Sequence, residues 1–313
     1  MTKVFIDGSA GTTGLRIHER LAERRDIELI TLGETERRDT AARREALNSA
    51  DIVFLCLPDA AAVEAVGMIE NGTTRVIDTS TAHRTSDGWE YGFPELHGRR
   101  ERIANAARVA NPGCHASGFI ALVTPLLKAG IIAPEARLSC LSLTGYSGGG
   151  KKMIAEYEGA GRDPLYDAPR MYGLSQSHKH LPEMTAVTGL KNAPVFCPVV
   201  APYYAGMEVT VPITSADLIG DSDIDAVRRV YGEYYTGDIV RYRDSADEGG
   251  FISAGAYAGR DDMEISVYGN GDRILLVARF DNLGKGASGA AIQNMNIMLG
   301  TDETCGLVVK NEH

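Results

Sequence analysis

The sequence predicts an α/β protein of two domains: a doubly wound parallel sheet first, then an α+β domain built on a mostly antiparallel sheet. Three observations predict this. The chain has 313 residues, about twice the length of an ordinary single domain. Its first third alternates short apolar runs with helical patterns, the rhythm of a parallel sheet with crossover helices. From about Cys114 the strand-like stretches lengthen and alternate with loops.

In chain order, Val4-Phe5-Ile6 forms the first strand, and Gly8-Ser9-Ala10-Gly11-Thr12-Thr13-Gly14 follows at once. Leu15, Ile17, His18 and Leu21 then fall at helical spacing. Ile27 to Leu32 is the second strand. Asp51 to Leu57 is a continuous apolar strand of the kind parallel sheets bury, ended by Pro58-Asp59. Ala60 to Ile69 reads as a helix closed by Asn71-Gly72, and Arg75 to Asp78 as another strand. In the second half, Ala136 to Leu143, Val195 to Val200, Met207 to Ile213 and Arg273 to Phe280 are strand-like. Ala291, Ile292, Met295, Met298 and Leu299 recur at helical spacing, a tail helix placed with the first domain. The expected division is residues 1–113 with 285–313, and 114–284.

Hydrophobic residues at 44% and charged residues at 24% exclude a disordered chain. A net charge of -10 argues against nucleic acid or an anionic membrane as partner, and no apolar run reaches the ~20 residues of a membrane span. Cys56, Cys114, Cys140, Cys197 and Cys305 make no CxxC pair and no metal-type cluster, so reduced thiols, a cytoplasmic protein and no metal site are expected.

Gly8, Gly11 and Gly14 occupy the first strand-to-helix turn, where glycines let a pyrophosphate approach the backbone and a helix N-terminus supplies N–H donors. Ser9, Thr12 and Thr13 add hydroxyls. The spacing is GxxGxxG, not GxGxxG. After the second strand, Glu34 would favour a free ribose hydroxyl, whereas Arg37 and Arg38 would favour a 2′-phosphate or form a solvated helix face. Of these, the arginines point to NADP.

Asn111-Pro112-Gly113-Cys114 forces a tight turn before a buried helix carrying Phe119, Ile120, Leu122, Val123, Leu126 and Leu127, with Pro125 inside it. Cys114 therefore sits at a helix N-terminus, where the dipole favours a thiolate nucleophile. The other cysteines read as small buried or incidental thiols. A histidine suits the acid/base role, and His178 and His180 stand together before Pro182-Glu183. His115 adjoins Cys114, but neighbouring helix residues point apart. His18 and His313 read as solvent-facing. For anion capture the candidates are Ser80 with Arg84, the Ser147 to Lys152 turn, and Asp281 to Ser288 with Asn282, where the last helix opens.

These segments, with Asp78 to Arg84, Gly92-Phe93-Pro94-Glu95-Leu96, and Asp281 to Asn296, resemble the short form of N-acetyl-gamma-glutamyl-phosphate reductase, in the aspartate-semialdehyde dehydrogenase superfamily. The longer form carries Ser-Gly-Ala-Gly-Arg where this chain has Ser147 to Lys151. The resemblance implies an NADP-binding Rossmann domain, an α+β catalytic and dimerisation domain, a cytoplasmic homo-oligomer (dimer or tetramer), and a role in arginine biosynthesis. It implies Cys114 as nucleophile, His178 as acid/base, and His180, Glu183, Arg84 and Lys151 as substrate groups. The cofactor residues would be Gly8, Ser9, Gly11, Thr12, Thr13, Gly14, Arg37, Ser80 and Asn282. The implied partners are a small acyl phosphate and inorganic phosphate. A sister reductase of an aspartyl or aminoadipyl phosphate, or a non-catalytic NADP-sensing protein, is the alternative.

Overall fold

Short runs of two to six residues give the first unit its strands, the four longest of them mostly apolar. The computed structural model describes residues 1–310. In chain order it begins with β1 (Thr2–Asp7), α1 (Thr12–Ala22), β2 (Ile27–Ile30), α2 (Thr40–Ser49) and β3 (Ile52–Leu55). There follow α3 (Asp59–Gly67), β4 (Arg75–Asp78), β5 (Glu90–Tyr91), α4 (Arg99–Asn105) and β6 (Arg108–Ala110). All six strands pair in parallel, in the order β2-β1-β3-β4-β6-β5. Side-chain alternation along β1 sends Val4 and Ile6 to one face and Phe5 to the other, and each face has its own core. The helix Gly289–Leu299 places Ala291, Ile292 and Met295 in the Val4 and Ile6 core.

The chain divides into two compact units, Met1–Pro112 with Ala287–Leu307, and Gly113–Gly286 with the segment from Val308. The second unit contains α5 (Cys114–Lys128), β7 (Ser139–Gly145), α6 (Gly150–Glu158), β8 (Arg170–Met171), α7 (Leu181–Thr188) and β9 (Val195–Ala201). It continues with β10 (Met207–Thr214), α8 (Ile224–Tyr234), β11 (Val240–Tyr242), β12 (Met263–Gly269) and β13 (Arg273–Phe280). The seven strands run in the order β11-β12-β13-β10-β7-β9-β8.

This sheet is mixed, which corrects the mostly antiparallel sheet expected from sequence. β7 pairs in parallel with β9, and β11 in parallel with β12. A parallel pair needs a long crossover, and the stretch with α6 and α7 supplies the one between β7 and β9. Strand patterning records which face is buried, not the direction of the neighbour.

Twelve of the fifteen α5 residues are buried. The helix lies tight on the sheet because position 118 is glycine: a Cβ there would stand 2.5 Å from Val209 Cγ2 and 3.0 Å from Phe280 Cε1. Tyr235 on the loop after α8 anchors the same helix by donating to Ala121 O at 2.6 Å. Among the described residues no helix is long and apolar enough to cross a membrane. His313 lies outside the described residues, and His18 is partly buried.

Gly118→Ala is expected to destabilise the protein by about 1–3 kcal/mol, since the added methyl overpacks a closed contact. The measurement is the urea midpoint, which should fall at unchanged slope.

Candidate active site

The position of Cys114 follows from the turn before it. Gly113 caps α5 in extended conformation, Cys114 is the first helical residue, and no side chain caps the helix or places an acid in its first turn. The first-turn N–H groups of a helix have no partner within it, and Cys114 sits at this positive end of the helix dipole, an environment that favours a thiolate. Cys114 is partly exposed, whereas Cys140 is buried and its thiol is raised well above the usual range by desolvation. Cys56 is pushed up to about 12, mainly by burial. Space beside the sulfur is kept by Gly286, where a Cβ would stand 2.9 Å from Cys114 Cβ.

Glu183, in the first turn of α7, is 1% exposed and accepts the N–H of Gly113 at 3.2 Å through Oε2. Its Oε1 lies 3.9 Å from His180 Nε2. The peptide N–H of His180 donates to His178 Nδ1 at 3.1 Å. A peptide N–H is always a donor, so the neutral His178 ring carries its proton on Nε2. The His178 and His180 rings stand 4.7 Å apart, and Phe196 packs edge-on to His178 at 5.1 Å.

His115 turns away from its neighbour in sequence, as helical geometry dictates, yet its ring lies 5.7 Å from that of His178 and 5.5 Å from that of His180. Its Nδ1 is 2.7 Å from Ser142 Oγ and its Nε2 is 2.6 Å from the Tyr172 hydroxyl. Burial, helped by His178, pushes the imidazole down to about 3, so it is neutral at physiological pH. Sequence reading set His115 aside, and no periodicity singles out Ser142 as its partner.

In the first unit, β1 ends where the chain leaves for β2 on one side and later returns as β3 on the other. The mouth of such a sheet is where nucleotides bind in doubly wound folds. Gly8 has φ +90°, and a Cβ there would stand 2.3 Å from Cys56 O. A Cβ on Gly14 would stand 2.4 Å from Gly8 O, so both positions require glycine. Gly11 caps α1 without a side-chain bond, and the buried Thr12 Oγ1 has no hydrogen-bond partner. A cavity of about 320 Å³ opens beside the turn, lined by Gly8, Ser9, Thr31, Leu32, Arg37 and Arg43. First-turn N–H groups, an unmatched buried hydroxyl and Arg37 in the slot, where Arg43 is held by Asp7 at 2.8 Å, fit a dinucleotide with its phosphates on the α1 N-terminus.

The remaining predicted residues are distributed as follows. The Ser80 hydroxyl donates to buried Asp78 at 2.7 Å, and His83 Nδ1 meets the same carboxylate at 2.6 Å. Arg84 donates to Asn111 O at 2.9 Å and Thr79 O at 3.2 Å. Asn282 accepts from Gly206 N and donates to Ser147 Oγ, bracing the second unit. Lys151 is exposed at the start of α6, whereas Lys285, not singled out by sequence, is 1% exposed in a π-helical turn, Gly284–Ser288. Thr13 is partly buried on α1. Among the described residues no group of three or more His, Cys, Asp or Glu side chains is arranged to hold a metal ion.

A nucleotide-binding parallel sheet and a cysteine at a helix N-terminus beside histidines define a dehydrogenase of the semialdehyde dehydrogenase class. The family model described as semialdehyde dehydrogenase, NAD binding domain, matches residues 3–106, and that described as semialdehyde dehydrogenase, dimerisation domain, matches residues 114–282. A Brucella suis protein named N-acetyl-gamma-glutamyl-phosphate reductase is 47% identical over 307 residues, covering 95% of this chain and 99% of its own. A Nostoc protein named N-acetyl-gamma-glutamyl-phosphate reductase 2 is 43% identical over 321 residues, at 97% and 99% coverage. The chain belongs to the N-acetyl-gamma-glutamyl-phosphate reductase family. Among solved structures, aspartate semialdehyde dehydrogenase II of Vibrio cholerae is similar with TM-score 0.73 at 17% identity, covering 96% of this chain and 98% of its own, a likeness of fold.

The depressed His115 has a sign-definite consequence. Below its ordinary value near 6.5 the unfolded chain binds a proton that the folded chain refuses, so stability falls with falling pH until about 3. At pH 5, about 1.5 units below the ordinary value, the loss from this group is about 2 kcal/mol. His115→Phe should flatten the stability profile between pH 7 and 5 by that amount, as measured by urea unfolding at each pH.

Proposed function

We propose that the chain reduces N-acetyl-γ-glutamyl phosphate to N-acetylglutamate 5-semialdehyde with NADPH, in arginine biosynthesis. The relatives named above support the substrate, and the observation that carries the chemistry is Cys114 at the uncapped start of a buried helix. The Cys114 thiolate attacks the acyl-phosphate carbonyl. First-turn N–H groups of α5 stabilise the oxyanion, the C–O bond to phosphate breaks, and a thioester remains. Bound NADPH supplies the hydride that reduces this thioester. His178 Nε2–H hydrogen-bonds the tetrahedral oxyanion that hydride transfer leaves, and this oxyanion collapses to the aldehyde as the C–S bond breaks and the thiolate departs. A thioester accepts hydride far better than a carboxylate, which is why a covalent cysteine is required. Arg84, Lys151, His180 and Glu183 are assigned to substrate and phosphate handling.

NADP over NAD is supported by Arg37 in the cavity wall, with Arg43 beside it. The remaining cofactor assignments are Gly8, Ser9, Gly11, Thr12, Thr13 and Gly14 in the turn, with Ser80 and Asn282. The matched dimerisation domain supports a homo-oligomer, dimer or tetramer, and five cysteines without pairs support the cytoplasm.

Cys114→Ala is expected to abolish phosphate-dependent NADP reduction with N-acetylglutamate semialdehyde while leaving NADPH binding intact by fluorescence titration. Substantial residual turnover would sink the covalent route. Arg37→Ala should cut kcat/KM for NADPH about 10- to 100-fold, the worth of one charge-assisted phosphate contact, and leave NADH nearly unchanged. Equal losses with both cofactors would remove Arg37 from 2′-phosphate recognition.

A further inference from the structure

A carboxylate stands in the wall of the cavity that is read as the anion site. Asp7 ends β1 immediately before Gly8, is buried, and lines the same cavity as Arg37 and Arg43. Alternation along β1 turns it to the face of Phe5, whose core is shared with Ala46 and Leu47 of α2. A negative group beside a phosphate-binding turn repels the ligand unless its charge is cancelled. Arg43, on α2, donates to Asp7 Oδ2 through Nη2 at 2.8 Å and through Nε at 3.3 Å. We propose that Arg43 is a positioning residue for cofactor specificity: it holds and neutralises Asp7, so that the cavity admits a 2′-phosphate contacted by Arg37. The proposal rests on the reading of this cavity as the NADP site.

The two arginines are committed differently. Arg37 Nε donates to Leu32 O at 3.0 Å, and a guanidinium has four more N–H donors on its two terminal nitrogens. Arg43 instead spends Nε and one terminal nitrogen on a single carboxylate oxygen. Its pair with Asp7 is shielded: the side chains are 14% and 9% exposed, so salt and water screen the attraction little. The helix that carries Arg43 is fixed at its start by Asp39, which accepts the N–H groups of Ala41 and Ala42 at 2.8 and 2.9 Å. Glu36, beside Arg37 in sequence, is occupied by the N–H of Gly33 at 2.7 Å. Among the described residues Asp7 is therefore the acidic side chain that lines the cavity.

With the pair intact, Asp7 and Arg43 cancel and Arg37 leaves the wall with one net positive charge. Removing Arg43 makes the wall neutral, and removing the Asp7 charge as well restores the single positive charge. His18 also lines the cavity and is common to every variant. Two like unit charges about 10 Å apart, at an effective dielectric constant of about 20, repel enough to change binding about tenfold. NADPH carries nearly twice the negative charge of NADH, since the 2′-phosphate adds about -1.5 to -2 to the pyrophosphate. The effect on NADH is therefore about the square root of that on NADPH, about threefold.

The experiment is fluorescence titration of the full-length protein with NADPH and with NADH, without substrate. Arg43→Ala should weaken NADPH about tenfold and NADH about threefold. Asp7→Asn/Arg43→Ala should return both to near the wild-type values. Recovery is the decisive readout, because a helix merely loosened by loss of the pair stays loosened when Asp7 is also neutralised. Wild-type NADPH affinity in Arg43→Ala overturns the proposal. So does a double variant as weak as Arg43→Ala, since Arg43 would then touch the phosphate itself or only brace α2. Equal losses with NADPH and NADH overturn it as well. If Arg43→Ala does not fold, Asp7→Asn alone carries the test: it uncovers Arg43 and should tighten NADPH, and unchanged or weaker binding overturns the proposal. A wild-type protein that binds neither nucleotide removes the reading of the cavity and the proposal with it, whereas the other outcomes leave that reading standing.

Discussion

One buried carboxylate joins the two segments of the second unit that carry Cys114 and the paired histidines. Glu183 accepts the N–H of Gly113, the residue that caps α5, and its other oxygen faces His180. His178, His180 and Glu183 fall within six residues at the start of α7, so this carboxylate ties the segment carrying both histidines to the turn carrying the thiol. A carboxylate at 1% exposure has little water to fall back on, so the bond is costly to break and both segments share one geometry. Gly286 completes the arrangement from a third direction by leaving room beside Cys114.

Each unit meets negative charge in the same way. The chain carries -10 overall, yet neither α1 nor α5 has an acidic residue in its first turn or a side chain across its cap. Both helices follow directly on glycine. An acidic protein can thus offer a positive helix end at chosen points, because no acidic residue of either helix's own first turn cancels its backbone N–H groups. Solubility and anion binding are kept apart in space.

Much of this was legible in the sequence, for identifiable reasons. β1, β3 and β4 announce themselves as continuous apolar runs because both faces of a parallel sheet are buried. Cys114 was placed at a helix start by the Pro-Gly turn before it, and α5 begins at that residue. What stayed hidden depends on partners far apart along the chain. The parallel pairing of β7 with β9 leaves no trace in either strand's pattern, and β12, though seven residues long, was not singled out. His115 looked unengaged because its partners lie 27 and 57 residues away. Lys285, buried in a stretch that reads as polar, belongs with these.

The first unit is interrupted, and that sets an order on its making. Its core between β1, β3 and β4 is completed by Ala291, Ile292 and Met295, and Arg75 reaches the carbonyl of Met298 at 2.5 Å. A ribosome synthesises the whole of Gly113–Gly286 before those residues exist. The parallel sheet therefore waits with one apolar face uncovered while the second unit is translated. The inserted unit, by contrast, has nearly all of its own chain in hand as soon as Gly286 emerges. Folding during synthesis runs from the middle of the gene outward, and the nucleotide-binding half closes last.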